Sequence, residues 1–199
     1  MKAAKGKLLA FRRAECSITE MSDEALLAAC GVGESAALGA LFDRHRTHVR
    51  RFIGHLAGSD VRDLDDLVQS TFLELYRSAS HFGGKAAVRT WIFGIANNVV
   101  RQHARGERRR RTAMTALHSV PQRASQGPDG PTLRSQQLAL LAEALTQLPQ
   151  DQRVAFVMCD LEEIEGTEAA RILGIRPGTF WRRLHEARQQ LRAALEEPR

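Results

Sequence analysis

Apolar residues recur at steps of three and four along most of the chain, which is the spacing of one face of an α-helix. One such stripe, at 38–56, predicts a long amphipathic helix. A second, at 61–75, predicts a helix that Ser59 or Asp60 can cap. A third begins at Val88 and ends in charged residues. Regular alternation of β-branched residues is missing, so the sequence predicts an all-α fold.

The C-terminal part of the chain has the pattern of two helices joined by a tight turn. Gly174 ends the first of these helices, and Pro177 suits the first turn of the second. Two helices joined by three or four residues that include Gly form a helix-turn-helix. Leucine stripes at 138–148 and an apolar stretch at 154–161 predict two further helices before it. The expected buried side of the last helix consists of Phe180, Leu184, Ala187, Leu191 and Leu195.

Between these two blocks, a stretch rich in Pro, Gly, Ser and Gln lacks helical periodicity. It predicts a flexible linker at 113–132 that joins two small helical domains. The N-terminal domain is expected at 22–112 as a helical bundle, and the C-terminal domain at 133–199 as a helix-turn-helix unit. Residues 1–21 are interpreted as a disordered extension, because Met21 resembles a second start.

Composition narrows the class of partner. The chain has 199 residues, a formal net charge of +6 and a pI near 9.9, which favour a polyanionic partner such as nucleic acid. The three cysteines, Cys16, Cys30 and Cys159, form no CxxC pair, which favours a reducing compartment. No apolar run approaches the roughly 20 residues that span a bilayer. We therefore expect a cytoplasmic protein.

The segment GIRPGTFWRRLHEAR, at 174–188, carries the first candidate chemistry. The second helix of a helix-turn-helix lies in the major groove with its N-terminal residues near the base edges. Thr179 can donate to a phosphate, and Arg182 and Arg183 can neutralise phosphates or read guanine. Trp181 is expected either to face DNA or to pack on the neighbouring helix. The alternative is a packed helical hairpin whose arginines form a solvated face.

The segment VRTWIFGIANNVVRQHARGERRRR, at 88–111, carries the second candidate nucleic-acid-binding surface. Six arginines against one glutamate give the stretch 101–111 a local charge of +5. Asn97 and Asn98 lie one turn upstream, and asparagine is unusual inside a helix. With Trp91 and Arg89 they are typical of a surface for unpaired bases, which are held by stacking and by hydrogen bonds to base edges. The alternative is a solvated basic helix with one buried tryptophan.

A cluster of carboxylates is the third candidate functional feature, and it supports a function less strongly than the first two. Asp60, Asp63, Asp65 and Asp66 could bind a divalent metal or act as acid and base. Acids at the start of a helix also meet the helix dipole favourably, which is the structural alternative. Three histidines between 45 and 55 lack a visible fourth ligand. We expect no metal, no cofactor, no small-molecule substrate and no enzymatic activity.

Taken in order, these segments resemble a bacterial extracytoplasmic-function (ECF) RNA polymerase sigma factor, a two-domain member of the sigma-70 class. FDRHRTHVRRFI, at 42–53, resembles the opening helix of the family. DLDDLVQSTFLELYRS resembles the helix that docks on the polymerase clamp, and RTWIFGIANNVV the segment that recognises and melts the minus-ten element. Residues 161–188 resemble the module for the minus-thirty-five element. The resemblance covers about 22–195.

The resemblance implies three sets of functional residues. Contacts with core RNA polymerase fall to Asp66, Leu67, Gln69 and Phe72. Contacts with the minus-ten element of promoter DNA fall to Lys85, Arg89, Trp91, Asn97, Asn98 and Arg101. Contacts with the minus-thirty-five element fall to Arg176, Thr179, Trp181, Arg182, Arg183, His185, Glu186 and Arg188. The resemblance also implies an anti-sigma partner, which in this family is often membrane-bound.

Four positions depart from the family pattern. Trp181 and Glu186 replace commonly basic positions, so the resemblance does not give the promoter sequence preference. Glu163 stands where the family often has Gly, and Glu165 where it usually has a Ser or Thr cap. The departure at Glu165 predicts that the helix begins at Thr167. Two rival functions stay open at this point: an autonomous helix-turn-helix transcriptional regulator, and a nucleic-acid hydrolase that uses the acidic cluster.

Overall fold

The computed structural model describes residues 18, 20–58, 63–115 and 133–196, without the side chains of 111, 113–115 and 133–139. Most of the expected N-terminal extension and of the expected linker lies outside these residues. The described residues form helices and no strands: α1 Asp23–Gly31, α2 Ser35–Ala57, α3 Leu64–Ser78, α4 Val88–Thr115, α5 Leu133–Gln147, α6 Gln150–Phe156, α7 Gly166–Ile172 and α8 Pro177–Glu196. The all-α prediction is confirmed. Among the described helices, none is apolar over a length that would cross a bilayer.

Helices α2 and α3 follow the apolar stripes, but one start was misplaced. Helix α2 stops at Ala57, where Gly58 takes a positive φ of 95° that suits glycine. Helix α3 begins at Leu64, with Asp63 at its N-cap position and no side-chain cap bond. The predicted caps, Ser59 and Asp60, lie outside the described residues, and the position that flanks the helix is Asp63.

Aromatic side chains fix how α2, α3 and α4 pack into the N-terminal unit. The rings of Phe52 on α2 and Phe93 on α4 stack with centroids 4.4 Å apart and an interplanar angle of 10°. Phe42 on α2 meets Phe72 on α3 edge-on at 4.9 Å. Both pairs join helices through large apolar surfaces, which are the main stabilising contribution of aromatic residues in a core.

Helices α5 to α8 form the C-terminal unit, and its turn follows the sequence closely. Helix α6 continues as a π-helical turn over Val157–Leu161. Gly174 has a positive φ of 67° after α7, and α8 begins at Pro177, as expected. Helix α7 begins at Gly166, one residue before the predicted start. Leu195 is half exposed, so its predicted burial is wrong, whereas Phe180, Leu184, Ala187 and Leu191 are buried.

The two units pack against each other. One continuous cluster of buried apolar side chains includes Phe52 and Phe93 from the N-terminal unit, and Val157, Met158 and Ala169 from the C-terminal unit. Helix α2 contacts α5 and α6, and α4 contacts α7. Helix α7 of the C-terminal unit therefore lies against α4, the helix that also carries most of the residues that the sequence assigned to unpaired DNA.

Candidate nucleic-acid interface

The first half of α8 presents a basic, solvent-exposed face. Arg176, just before the helix, is exposed, as are Arg182 and His185. Two other predicted DNA residues turn back to their own unit. Arg183 pairs with Asp151 at 2.7 Å, and Arg188 pairs with Asp160, also at 2.7 Å. The basic residues predicted to contact the minus-thirty-five element thus divide into an exposed face and two arginines that join α8 to α6 and to the turn after it.

Trp181 adopts the second of its two expected placements. Its indole lies over Gly166, where a built Cβ would stand 2.5 Å from Cζ2 and 3.1 Å from Cε2. The ring is edge-on to that of Phe180, and 47% of Trp181 is exposed. The side chain therefore joins α8 to the start of α7 and leaves one edge in solvent beside Arg182.

Glu186 is oriented by two neighbours. Gln152 Nε2 on α6 donates to Glu186 Oε2 at 3.0 Å, and Arg182 Nη1 donates to Oε1 at 3.3 Å. A carboxylate in this environment is a hydrogen-bond acceptor with a fixed direction, which in the major groove suits the cytosine amino group. Thr179 is half-buried in the first turn of α8.

A groove of about 1040 Å³ runs between α3 and α4. Trp91, Asn98 and Arg101 line its α4 side, and Leu67 and Leu73 line its α3 side. An aromatic ring, an exposed amide and a guanidinium along one wall can stack on a base, bond its edge and neutralise its phosphate.

The other predicted minus-ten residues lie elsewhere. Lys85 is exposed on the loop before α4. Arg89 Nη2 donates to the backbone oxygen of Glu162 in the C-terminal unit at 2.9 Å. Asn97 is 3% exposed, and its Oδ1 has no hydrogen-bond partner. Arg101 lines the groove and also contacts the C-terminal unit, because its Nη1 lies 3.7 Å from Asp151 Oδ1.

On α3, the residues expected to contact polymerase divide by burial. Asp66 and Gln69 are exposed, but Leu67 and Phe72 are 5% and 3% exposed. A buried ring cannot serve as an exposed contact, so direct contact by Phe72 does not fit this structure, and Leu67 contributes only the floor of the groove. Sequence reasoning missed Leu73, a large apolar side chain that is 46% exposed.

The acidic cluster is split among different partners. Asp63 Oδ2 lies 3.8 Å from His103 Nε2, and Asp65 pairs with Arg50 on α2. Asp66 is exposed in the first turn of α3. Within the described ranges, no three His, Cys, Asp or Glu side chains converge as metal ligands would. These positions match the alternative in which acids support a helix start.

Glu162 is a functional candidate that the sequence did not indicate. Its carboxylate is fully buried and accepts three hydrogen bonds from Arg51 of α2, at 2.9 to 3.1 Å. The charges of both residues act on the nearby His55 imidazole. Burial is the main cause that lowers the pKa of His55, the Glu162 carboxylate opposes this lowering, and the Arg51 guanidinium adds to it. Because 111 residues separate Arg51 from Glu162, no local motif could reveal the pair.

Comparison with known proteins places both units in one family. The family model for sigma-70 region 2 matches residues 41–110, and that for sigma-70 region 4 matches 138–191. The ECF RNA polymerase sigma factor SigM of Mycobacterium tuberculosis strain H37Rv is 31% identical over 173 residues, 86% of this chain and 84% of SigM. SigC of strain CDC 1551 is 32% identical over 181 residues, 89% of this chain and 95% of SigC.

A solved structure has the same fold. The sigma factor RpoE in complex with the anti-sigma factor NepR, from Bartonella quintana, superposes with a TM-score of 0.64 at 23% identity, over 79% of this chain and 96% of RpoE. The architecture and the two matched regions define a sigma-70 class protein. The chain belongs to the ECF RNA polymerase sigma factor family. It is accordingly an alternative sigma factor, which directs promoter recognition by RNA polymerase.

Proposed function

We propose that α8 recognises the minus-thirty-five duplex and that the groove beside α4 holds the non-template strand of the minus-ten element. The observation that carries this division is the placement of the candidate DNA-binding residues on two separate surfaces of one chain. One surface is the exposed face of Arg176, Arg182 and His185, and the other is the groove wall formed by Trp91, Asn98 and Arg101.

The face on α8 suits duplex DNA. The start of a helix carries a partial positive charge and free amide groups, which favour phosphate. Arg182 and His185 lie within the first three turns, where a recognition helix comes nearest to base edges. Arg183 and Arg188 support this surface from behind through Asp151 and Asp160. In this proposal they position the helix, and their guanidinium groups do not read bases.

The groove suits an unpaired strand. Stacking of a base on an aromatic side chain contributes about 1 to 3 kcal/mol. Trp91 is partly exposed and is supported from below by Phe82, with ring centroids 5.3 Å apart. Asn98, two turns further along α4, is exposed and can bond the edge of an extruded base. Unstacking a base costs a few kcal/mol, so a preformed site of this kind favours promoter opening.

The exposed face of α3 is proposed as the contact with core RNA polymerase. Asp66, Gln69 and Leu73 lie at successive turns of the helix and are all exposed. Leu67 and Phe72 support that face from the core side. Leu73 is exposed on the same helix as Asp66 and Gln69, so its apolar surface is accessible to a partner.

We further propose an anti-sigma partner and a cytoplasmic site of action. Support for the first comes from the relative RpoE, whose structure is a complex with the anti-sigma factor NepR. Support for the second is that promoter DNA and core polymerase are the partners of this proposal. In this role the chain binds and positions DNA and catalyses no reaction.

Transcription on two kinds of template tests the division of labour. A promoter fragment selected by run-off transcription is used as an intact duplex and with its minus-ten region premelted by mismatches. We expect Asn98→Ala to reduce transcription on the duplex and to recover on the premelted template, because only strand capture is impaired. Arg182→Ala should reduce both, whereas Arg192→Ala, an exposed arginine further along α8, serves as the matched control. Equal behaviour of Asn98→Ala and Arg182→Ala on both templates would overturn the division.

A further inference from the structure

One ion pair on the surface of α8 differs from the two that join α8 to the rest of its unit. Arg182 Nη1 lies 3.3 Å from Glu186 Oε1, and the two side chains are 67% and 34% exposed. Arg183 and Arg188 pair with carboxylates outside α8, whereas both members of this pair belong to the same helix. The pair of Arg182 and Glu186 therefore does not hold α8 in place.

Stability gives little reason for a carboxylate at this position. Exposed ion pairs four residues apart on a helix contribute little, and the more favourable order has the acid nearer the N-terminus. Here the arginine comes first. The carboxylate also lies close to Arg182 and His185, on the part of α8 assigned to duplex DNA. A negative charge there weakens contact with any phosphate, so a role of Glu186 in DNA binding has to come from selectivity among bases.

The direction of this carboxylate is fixed from a second helix. Gln152 of α6 donates through Nε2 to Glu186 Oε2 at 3.0 Å. A carboxylate only accepts, so the nitrogen of the glutamine amide has to face it. The other end of the amide, Gln152 Oε1, is buried and has no hydrogen-bond partner among the described residues. An unpaired buried acceptor costs free energy, so the benefit of this glutamine lies in its bond to Glu186.

We propose that Glu186 reads a base of the minus-thirty-five element and selects cytosine, and that Gln152 is the residue that positions it. This inference rests on the proposed function of α8. Each oxygen of a carboxylate accepts about two hydrogen bonds, so Gln152 and Arg182 leave one position free on each oxygen. The free positions of a half-exposed carboxylate with a fixed direction are available to a base edge.

The edges of the four bases explain why cytosine is favoured. In the major groove cytosine presents its N4 amino group, a donor that a glutamate can accept from. Guanine presents O6 and N7, and thymine presents O4, and all three are acceptors that repel a carboxylate. Adenine has a donor at N6 but an acceptor at N7 beside it. The penalty for the other bases therefore adds to the gain from cytosine.

Arg182 is placed to read a base close to that cytosine. Four residues of α-helix rise about 6 Å, and the base pairs of a duplex are about 3.4 Å apart, so the two side chains reach bases within about two steps of each other. An arginine is matched to guanine. Because its bond to Glu186 is long and exposed, Arg182 can leave for a guanine while Gln152 keeps the carboxylate in place.

A promoter pool with a randomised minus-thirty-five element tests the proposal with the full chain and core RNA polymerase. Each template carries a barcode in its transcribed part, so sequencing of the transcripts gives the preferred base at every position. For wild type we expect one position at which cytosine, in one strand, exceeds each other base by at least about fivefold. Glu186→Gln should shift the preference at that position to adenine, because an amide matches N6 and N7 of adenine.

Gln152→Met tests the positioning role. Methionine keeps the length of the side chain but lacks the amide donor, so the Glu186 carboxylate remains and loses its fixed direction. The preference for cytosine should fall at least about threefold, while the preferences at other positions stay as in wild type. Gln152→Ala is the second variant should Gln152→Met be inactive on the whole pool. Glu196→Gln removes the same charge from the exposed end of α8 and should leave every preference unchanged.

The outcomes separate this inference from the function on which it rests. If wild type transcribes the pool and Glu186→Gln has the same base preferences, the inference is overturned and the proposed function stands. Loss of total transcription with unchanged preferences, in the variants of Glu186 and Gln152, shows a structural role and also overturns it. Failure of wild type to transcribe any template overturns the proposed function, and the inference with it. A shift from cytosine to adenine in Glu186→Gln, with a weaker cytosine preference in the Gln152 variant, supports it.

Discussion

The indole of Trp181 occupies the space that a side chain at Gly166 would need. These residues join the two helices of the helix-turn-helix, since one lies on α8 and the other opens α7. The packing of the Trp181 ring on the backbone of Gly166 therefore helps to set the angle between α7 and α8. Trp181 directly precedes Arg182 in α8, so its position also affects the surface that we propose to face DNA.

Replacing that glycine should disturb the C-terminal unit. Gly166→Ala forces the indole to move, and overpacking of this kind costs about 1 to 3 kcal/mol in the free energy of unfolding. Gly178→Ala adds the same methyl group to α8 at a position with nothing within 4 Å. Denaturant unfolding followed by tryptophan fluorescence compares the two variants. Equal stability of both would show that Trp181 moves away from Gly166 without cost.

Backbone conformation predicts a stabilising change at position 163. Glu163 is exposed and has a positive φ of 55°, a region that disfavours residues with a Cβ. Glu163→Gly should be more stable than Glu163→Ala by about 1 kcal/mol, because glycine alone escapes the left-handed penalty. The comparison of two small residues isolates the backbone from the lost carboxylate. Thermal unfolding of both variants measures it, and a more stable alanine variant would contradict the assigned conformation.

Stability should fall in mild acid through His55. Burial, reinforced by Arg51 and opposed by Glu162, lowers the pKa of its imidazole in the folded chain. Once the pH falls below about 6.5, the ordinary pKa of histidine, the imidazole of the unfolded chain binds a proton while that of the folded chain stays neutral. The stability that His55 contributes is complete above that pH and is lost below it. His55→Gln should unfold with a weaker dependence on pH between 7 and 5, and an unchanged dependence would exclude this source.

The exposed leucine on α3 should matter for binding and little for folding. Leu73→Ala removes an apolar group that is 46% exposed, so its cost in stability should stay below about 0.5 kcal/mol. Its affinity for core RNA polymerase should fall. Leu195→Ala, at the end of α8 and 50% exposed, is the matched control and should bind as wild type does. Measured affinities that rank the two variants equally would remove Leu73 from the polymerase contact.

Local patterns predicted the elements but misjudged their ends. The turn around Gly174 and Pro177 was placed correctly, because positive φ and a missing amide proton are properties of single residues. Leu195 was expected in the core, since it continues the stripe of Leu191 by four residues. In the structure Leu191 is buried and Leu195 is half exposed, although both lie in α8. Periodicity predicts which side of a helix a residue lies on. It does not predict whether another part of the chain covers that side.

Contacts distant in sequence account for the rest. The sequence marked Arg89 and Asn97 as a nucleic-acid surface, which stays a prediction, but could not show that Glu162 reaches the same face. The family resemblance implied Phe72 as a polymerase contact, yet its burial against Phe42 depends on the packing of α2 on α3. Burial and long-range pairing follow from tertiary packing, which a single sequence expresses only through its apolar stripes.

The most direct test of a promoter-recognition subunit is run-off transcription with purified core polymerase on genomic fragments, with and without this chain. We expect new transcripts that begin at defined sites only when the chain is present, and whose amount falls with Arg182→Ala. A transcript pattern identical with and without the chain, under conditions in which core polymerase is active, would contradict the account.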